Sequence, residues 1–279
     1  MKVCIIGAGT MGSGIAHAFA QAGDQYEVFS TDITKELADK GIGKVAAGMA
    51  KRVAKGKMAQ EEMDAILGRI KTGVKEDFIA DADLVIEAST ENPEIKRALF
   101  KEMDEMAKEG AILASNTSTL SITQLNQVCK RPIIGMHFFN PAPVMKLVEV
   151  TAGLNTPDSM VDEVMAISKD LGKNPVKVNE APGFIVNRML IPMINEAVFT
   201  LAEGVASAED IDSAMKDGAG HPMGPLHLAD LIGLDVCLFV MEILYNEFAD
   251  SKYRPCPLLT KMVRGGKLGC KTGEGFFKY

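Results

Sequence analysis

The stretch Val3-Cys4-Ile5-Ile6-Gly7-Ala8-Gly9-Thr10-Met11-Gly12-Ser13-Gly14 decides how the rest of the chain is read. Its first four residues are apolar and β-rich. Its glycines follow the spacing GxGxxG, and a helical pattern continues over residues 14–22. The spacing alone is a weak signal; a strand before it and a helix after it make it a dinucleotide fingerprint. In that reading Gly7 allows the tight turn and Gly9 lets a pyrophosphate approach the backbone. Gly12 lets the helix pack against the strand. The helix N-terminus then offers free N–H groups and a positive dipole end to phosphate, and Thr10 and Met11 of the glycine segment are counted with the cofactor-binding residues. Asp32 lies twenty residues beyond Gly12, at the end of a second strand candidate over residues 27–30. A carboxylate there binds a ribose 2′-hydroxyl and repels a 2′-phosphate, so NAD(H) is favoured over NADP(H). Ser30 and Thr31 beside it soften that preference and leave NADP(H) open. The ordinary alternative is a glycine-rich turn with a capping Asp.

Outward from this stretch the chain alternates strands and helices. Helical runs follow over residues 34–56 and 58–67. Strand candidates stand at 84–88, 111–114, 133–138, 147–150 and 176–178, and a further helix at 158–171. Asn92-Pro93 starts a helix well, because Asn caps and Pro fits the first turn. This alternation predicts an α/β, Rossmann-type, doubly wound and mostly parallel sheet. After Glu180 the strands stop, and residues 184–203, 208–216, 227–248 and 258–263 read as helices, with Pro192 inside the first. The expected division is residues 1–181, a dinucleotide-binding domain with a helical insertion at about 34–70, and residues 182–279, an all-helical domain.

Composition agrees. A chain of 279 residues is too long for one ordinary core. With 47% hydrophobic and 24% charged residues it is globular in type. The net charge of −7 argues against a general nucleic-acid or anionic-membrane binder. The five cysteines are scattered, without metal-ligand spacing or a CxxC, so no metal is expected and a reduced, cytoplasmic setting fits. No signal peptide or membrane-length apolar run is read.

Met136-His137-Phe138-Phe139-Asn140-Pro141-Ala142-Pro143-Val144-Met145-Lys146-Leu147-Val148-Glu149-Val150 carries the chemistry. His137 follows a strand, and Glu149 can approach it from the next one. A carboxylate behind a histidine fixes the tautomer and stabilises the imidazolium, the usual construction of a general base. Spacing alone leaves a structural His equally open, and an outward-facing strand Glu is the plain alternative for Glu149.

These motifs, with Ser115-Asn116-Thr117-Ser118, Ala181-Pro182-Gly183-Phe184-Ile185-Val186-Asn187-Arg188, Pro222-Met223-Gly224-Pro225, Leu231-Ile232-Gly233-Leu234-Asp235 and Lys271-Thr272-Gly273-Glu274-Gly275-Phe276, resemble the short-chain L-3-hydroxyacyl-CoA dehydrogenases over essentially the whole chain. The likeness is greatest to the bacterial 3-hydroxybutyryl-CoA members. The link between Lys130 and Ile133 is shorter than in that family. The resemblance implies reversible hydride transfer between C3 of a 3-hydroxyacyl-CoA and a nicotinamide. It implies His137 as the acid/base, Glu149 as its orienting carboxylate, and Ser118 and Asn187 as ligands of the substrate oxygens, with a site in the cleft between domains. For the cofactor it adds Glu91, Lys96, Asn140 and Lys271. The ordinary reading of Glu91 and Lys96 is a solvated helix end, and that of Asn116 a turn.

An acidic protein must hold the polyanionic coenzyme A locally. Lys44, Lys51 and Lys55 share one helix face, with Arg52 and Lys57 nearby, and Lys51 and Lys55 are taken as phosphate contacts; a solvated face is the alternative. The Met-rich helices of the last third, including Met189, Ile191, Met193 and Ile194, suggest a homodimer through that domain. Two other classes compete. Hydroxyisobutyrate- or phosphogluconate-type dehydrogenases need a catalytic Lys where this chain has Asn187-Arg188. A dinucleotide-binding structural protein, like the crystallin relatives of the family, has no need of an intact Ser118, His137, Glu149 and Asn187 set. The same reversible chemistry serves fatty-acid oxidation and butyrate formation.

Overall fold

A computed structural model describes all of residues 1–279. The chain divides into two compact units, Met1–Glu180 and Ala181–Tyr279.

The first unit is one eight-stranded sheet in the order β3-β2-β1-β4-β5-β6-β7-β8. Its strands are β1 (Lys2–Ile6), β2 (Glu27–Thr31), β3 (Ile70–Gly73), β4 (Leu84–Glu87), β5 (Ile112–Ser115), β6 (Ile134–Phe138), β7 (Leu147–Ala152) and β8 (Asn174–Asn179). Every neighbouring pair is parallel except β6 and β7. The helices are α1 (Thr10–Ala22), α2 (Lys35–Ala54), α3 (Gln60–Gly68), α4 (Pro93–Met106), α5 (Ile122–Asn126) and α6 (Asp158–Asp170). The sheet is covered on both sides, which is why its central strands read as unbroken apolar runs. Successive side chains point to opposite faces. Val3 and Ile5 join one core with Phe19 of α1 and Val164 of α6, while Cys4 and Ile6 join the other with Phe100 and Met103 of α4. Each such fully buried side chain contributes about 1.5–3 kcal/mol. The doubly wound, mostly parallel architecture expected from the alternation is the one found.

The second unit is helical: α7 (Val186–Ala202), α8 (Ala208–Ala219), α9 (Pro225–Ile232), α10 (Leu234–Phe248) and α11 (Pro257–Arg264). Its own core holds Ile194, Leu226, Leu234, Met241 and Leu244. No helix of the protein is long and apolar enough to cross a membrane.

The structure departs from the sequence reading in five places. Helix α1 starts at Thr10, before the run read as helical. Glycines 12 and 14 lower intrinsic helicity by about 1 kcal/mol each, but a Cβ on Gly12 would lie 1.7 Å from the Gly7 carbonyl oxygen. Tertiary contact therefore outweighs propensity there. Strand β3 was missed; it is a short edge strand with alternating exposure, a weak apolar signal. The short helix α5, capped by Ser121, was missed as well. The run 227–248 is two helices, broken where Gly233 takes φ +104°, a conformation open to glycine but strained for other residues. Finally, Ile191 and Ile194 are buried in the unit's own core and do not form unpaired surface. Of the residues named for that surface Met189 is exposed, and Leu231, Val236 and Phe239 are exposed apolar side chains of the same unit.

Candidate active site

The glycine loop leaves β1 through Gly7, whose N–H donates to the Thr31 carbonyl at 2.8 Å. Gly7 has φ +100°, and a Cβ there would lie 2.7 Å from the Ala88 carbonyl oxygen. Around Gly9 the opposite holds: a Cβ would meet nothing within 4 Å. The loop is thus closed on the sheet side and open where a pyrophosphate must approach. Gly9 caps α1 without any side chain accepting the first-turn N–H groups, which suits an anion. Asp32 is held against this loop. One carboxylate oxygen accepts the Ala8 N–H at 2.7 Å and the other the Ile33 N–H at 2.8 Å. A carboxylate has about four acceptor sites, so capping and ribose recognition are compatible.

The chemistry gathers on one face of the sheet. Leu84 and Ile86, Met136 and Phe138, and Val148 and Val150 all enter the first core. By alternation Glu87, His137 and Glu149 point the other way. His137 and Glu149 are direct cross-strand partners on the antiparallel β6–β7 pair. His137 Nδ1 lies 2.7 Å from Glu149 Oε2, and both residues are buried. The plain alternative of an outward-facing Glu149 is therefore not what the fold contains. The Phe139 ring sits 4.4 Å from the imidazole. From the adjoining β5 edge, Asn116 Oδ1 accepts the Phe138 N–H at 2.8 Å. Asn116 thus ties the Ser118 loop to the end of the His137 strand, a role more specific than a turn former.

Ser118 is positioned by Glu91. The Ser118 N–H donates to Glu91 Oε1 at 2.9 Å, and the Thr117 hydroxyl at 2.6 Å. Behind Glu91 lies Lys96, fully buried on α4, with Nζ 2.7 Å from Glu87 Oε2 and 3.3 Å from Glu91 Oε2. Glu87 also accepts the hydroxyls of Ser89 and Ser115. Burial alone would push the Glu91 carboxyl up. The Lys96 charge, the Thr117 hydroxyl and the Ser118 N–H outweigh it and hold the group below the usual carboxylate range. The solvated-helix-end reading of Glu91 and Lys96 does not survive this geometry. Glu87 escaped sequence reasoning, although a charge closing the apolar run Leu84-Val85-Ile86 was a legible signal. Burial pushes the thiols of Cys4, Cys129 and Cys237 up to about 12, away from the range of a reactive thiolate. None of the five cysteines is in a disulfide.

A cleft of about 930 Å³, its open mouth included, runs between α1, α2 and the loop after β6. Asn140 borders it, as do Thr10, His17, Lys44 and Arg52. Lys51 on the same helix and Lys55 at its C-cap, the residues the sequence nominated, are exposed but do not line this cleft. In the second unit, Asn187 stands in the first turn of α7, and Lys271 pairs with Asp235 at 2.6 Å.

A dinucleotide cradle followed, on the same sheet, by a buried His–carboxylate pair defines a nicotinamide-dependent dehydrogenase. Residues 2–181 match the family model described as 3-hydroxyacyl-CoA dehydrogenase, NAD binding domain, and residues 183–279 match the C-terminal domain of the same family. The chain is 52% identical to a 3-hydroxybutyryl-CoA dehydrogenase of Clostridioides difficile, covering 100% of this chain and 99% of that protein. It is 42% identical to the mitochondrial hydroxyacyl-coenzyme A dehydrogenase of Homo sapiens, over 99% of this chain and 90% of that one. The crystal structure of (S)-3-hydroxybutyryl-CoA dehydrogenase from Ralstonia eutropha superposes with a TM-score of 0.94 at 50% identity, covering 100% and 98% of the two chains. The chain belongs to the 3-hydroxyacyl-CoA dehydrogenase family.

Proposed function

We propose that this enzyme interconverts (S)-3-hydroxybutyryl-CoA and acetoacetyl-CoA with NAD(H). The observation that carries the reading is the buried 2.7 Å contact between His137 Nδ1 and Glu149 Oε2. With Nδ1 taken by the carboxylate, proton exchange with the substrate oxygen falls to Nε2. Glu149 stabilises the imidazolium that forms when the 3-hydroxyl loses its proton, and it holds the ring's orientation. The bound nicotinamide supplies hydride transfer at C3. Ser118, set by Glu91, and Asn187 are assigned as hydrogen-bond partners of the substrate oxygens. Asp32, held against the glycine loop by the Ala8 and Ile33 N–H groups, favours NAD(H) over a 2′-phosphorylated cofactor. Glu91 and Lys96 serve the cofactor region by fixing the Ser118 loop. Asn140 borders the same region; Lys271 has no such support beyond the resemblance.

For the CoA phosphates we assign Lys44 and Arg52 in place of Lys51 and Lys55, because the former pair borders the cleft. Nicotinamide absorbance with acetoacetyl-CoA, free acetoacetate and phosphogluconate tests the whole reading: turnover is expected with the first alone, and none with acetoacetyl-CoA removes it. In the same assay Lys44→Glu plus Arg52→Glu should raise KM for acetoacetyl-CoA by about tenfold or more, from loss of two charged contacts. Lys51→Glu plus Lys55→Glu should change it far less. Equal effects would return the contact to a diffuse basic face. The exposed Met189, Leu231, Val236 and Phe239 support a homodimer through the helical unit, and a concentration-independent monomer in sedimentation would exclude it. Unpaired cysteines support a cytoplasmic setting.

A further inference from the structure

We infer that His17 is a substrate-recognition residue that hydrogen-bonds an amide of the pantetheine arm of the acyl-CoA. The inference rests on the acyl-CoA reading above and adds to it a residue that neither the glycine fingerprint nor the catalytic motif contains. His17 lies on α1 seven residues beyond Thr10, on the helix face that borders the cleft. A helix rise of about 1.5 Å per residue puts it roughly 10 Å along the cleft from the glycine loop.

The side chain is 8% exposed, and its Nε2 is buried with no protein group in hydrogen-bonding reach. A buried polar atom left without a partner costs about 1–3 kcal/mol, so such atoms are rare without a reason. The charged groups that act on the ring are all cationic. Arg52 faces it from α2, and Lys173 from the residue just before β8. The Lys173 ammonium is itself committed, donating to the Ala142 carbonyl at 2.6 Å and the Met145 carbonyl at 2.9 Å in the loop that forms the cleft's other wall. Burial first, then the charges of Arg52 and Lys173, hold the imidazole below its usual value, so it is neutral near pH 7.

A neutral imidazole presents one donor and one acceptor. An amide presents the matching pair, whereas a phosphate presents only acceptors and is already served by Lys44 and Arg52. Between a thioester at His137 and phosphates at those cations, the part of acyl-CoA that must pass is the pantetheine arm, whose polar groups are amides. Its binding would supply the partner that His17 lacks within the protein.

Three measurements decide it. His17→Leu should raise KM for acetoacetyl-CoA about tenfold, the scale of one lost hydrogen bond to a buried group, with kcat and KM for NADH unchanged. His17→Gln, which keeps a donor and an acceptor, should stay close to wild type. With S-ethyl 3-oxobutanethioate, which has the thioester but no amide, wild type and His17→Leu should coincide. An equal KM increase with both substrates would mean that His17 only shapes the fold, and the inference falls. Calorimetric titration with free CoA separates this failure from failure of the functional reading. His17→Leu should weaken CoA binding whether or not acetoacetyl-CoA is turned over, and equal CoA affinity in the two proteins would overturn the role.

Discussion

Replacing His137 by glutamine is expected to lower kcat for acetoacetyl-CoA reduction by about 10²–10⁴-fold, the usual contribution of a positioned acid/base. KM for NADH should change little, because the glycine loop and Asp32, which follow β1 and β2, do not depend on the His137 side chain. Glutamine fills similar space and still hydrogen-bonds, so the loss reports proton transfer and not collapse of the pocket. Glu149→Gln should also lower kcat, since it keeps a contact to Nδ1 but removes the charge that stabilises the imidazolium. Both changes must be read against folding. Glu149 is fully buried, so denaturation curves of the two variants should be recorded beside the kinetics. A His137→Gln enzyme that is folded and turns over at near the wild-type rate would displace His137 from the acid/base role.

Lys96→Met is expected to destabilise the first unit by about 3–5 kcal/mol, the scale of breaking a buried ion pair by removing one partner. Methionine preserves most of the volume, so packing is nearly kept. What is lost is the only cation within salt-bridge distance of Glu87, a carboxylate that is 0% exposed. The Ser89 and Ser115 hydroxyls that remain can solvate that charge only in part. Denaturant unfolding measures the effect, and a loss below about 1 kcal/mol would fall in the surface-pair range and contradict it. The double variant Glu87→Gln plus Lys96→Met should recover much of the loss, since no net charge is then left buried. If it is as unstable as the single variant, packing and not charge is the cause. Lys96→Met should also lower kcat, because Glu91 loses the ammonium behind it and Glu91 sets the Ser118 N–H.

Much of the fold was legible because its determinants are local or periodic. Asn92 caps α4 as read, its Oδ1 accepting the N–H groups of Glu94 and Ile95. The buried strands announced themselves as apolar runs. What escaped lay where local signals are weak or misleading. Strand β3 is short, edge-placed and half polar, and near the start of α1 Gly12 serves close contact with Gly7 at the expense of helix propensity. Two residues that organise the site, Glu87 and Asn116, act through partners far along the chain: Lys96 and Ser115 for one, the Phe138 N–H for the other.

The amino-acid order by itself determined the cofactor class, the alternation that builds a doubly wound sheet, and the candidacy of His137 and Glu149, since each rests on spacing within a few dozen residues. Only the tertiary structure decided that those two side chains meet. That required β7 to run antiparallel to β6, so that His137 and Glu149 fall opposite each other on one face. It also decided which cations border the cleft. Lys44, Lys51 and Arg52 lie on one helix with Lys55 at its end, and periodicity cannot say which of them faces α1. The packing of α2 against α1 chose Lys44 and Arg52, and set beside them a buried histidine with a nitrogen no protein group reaches.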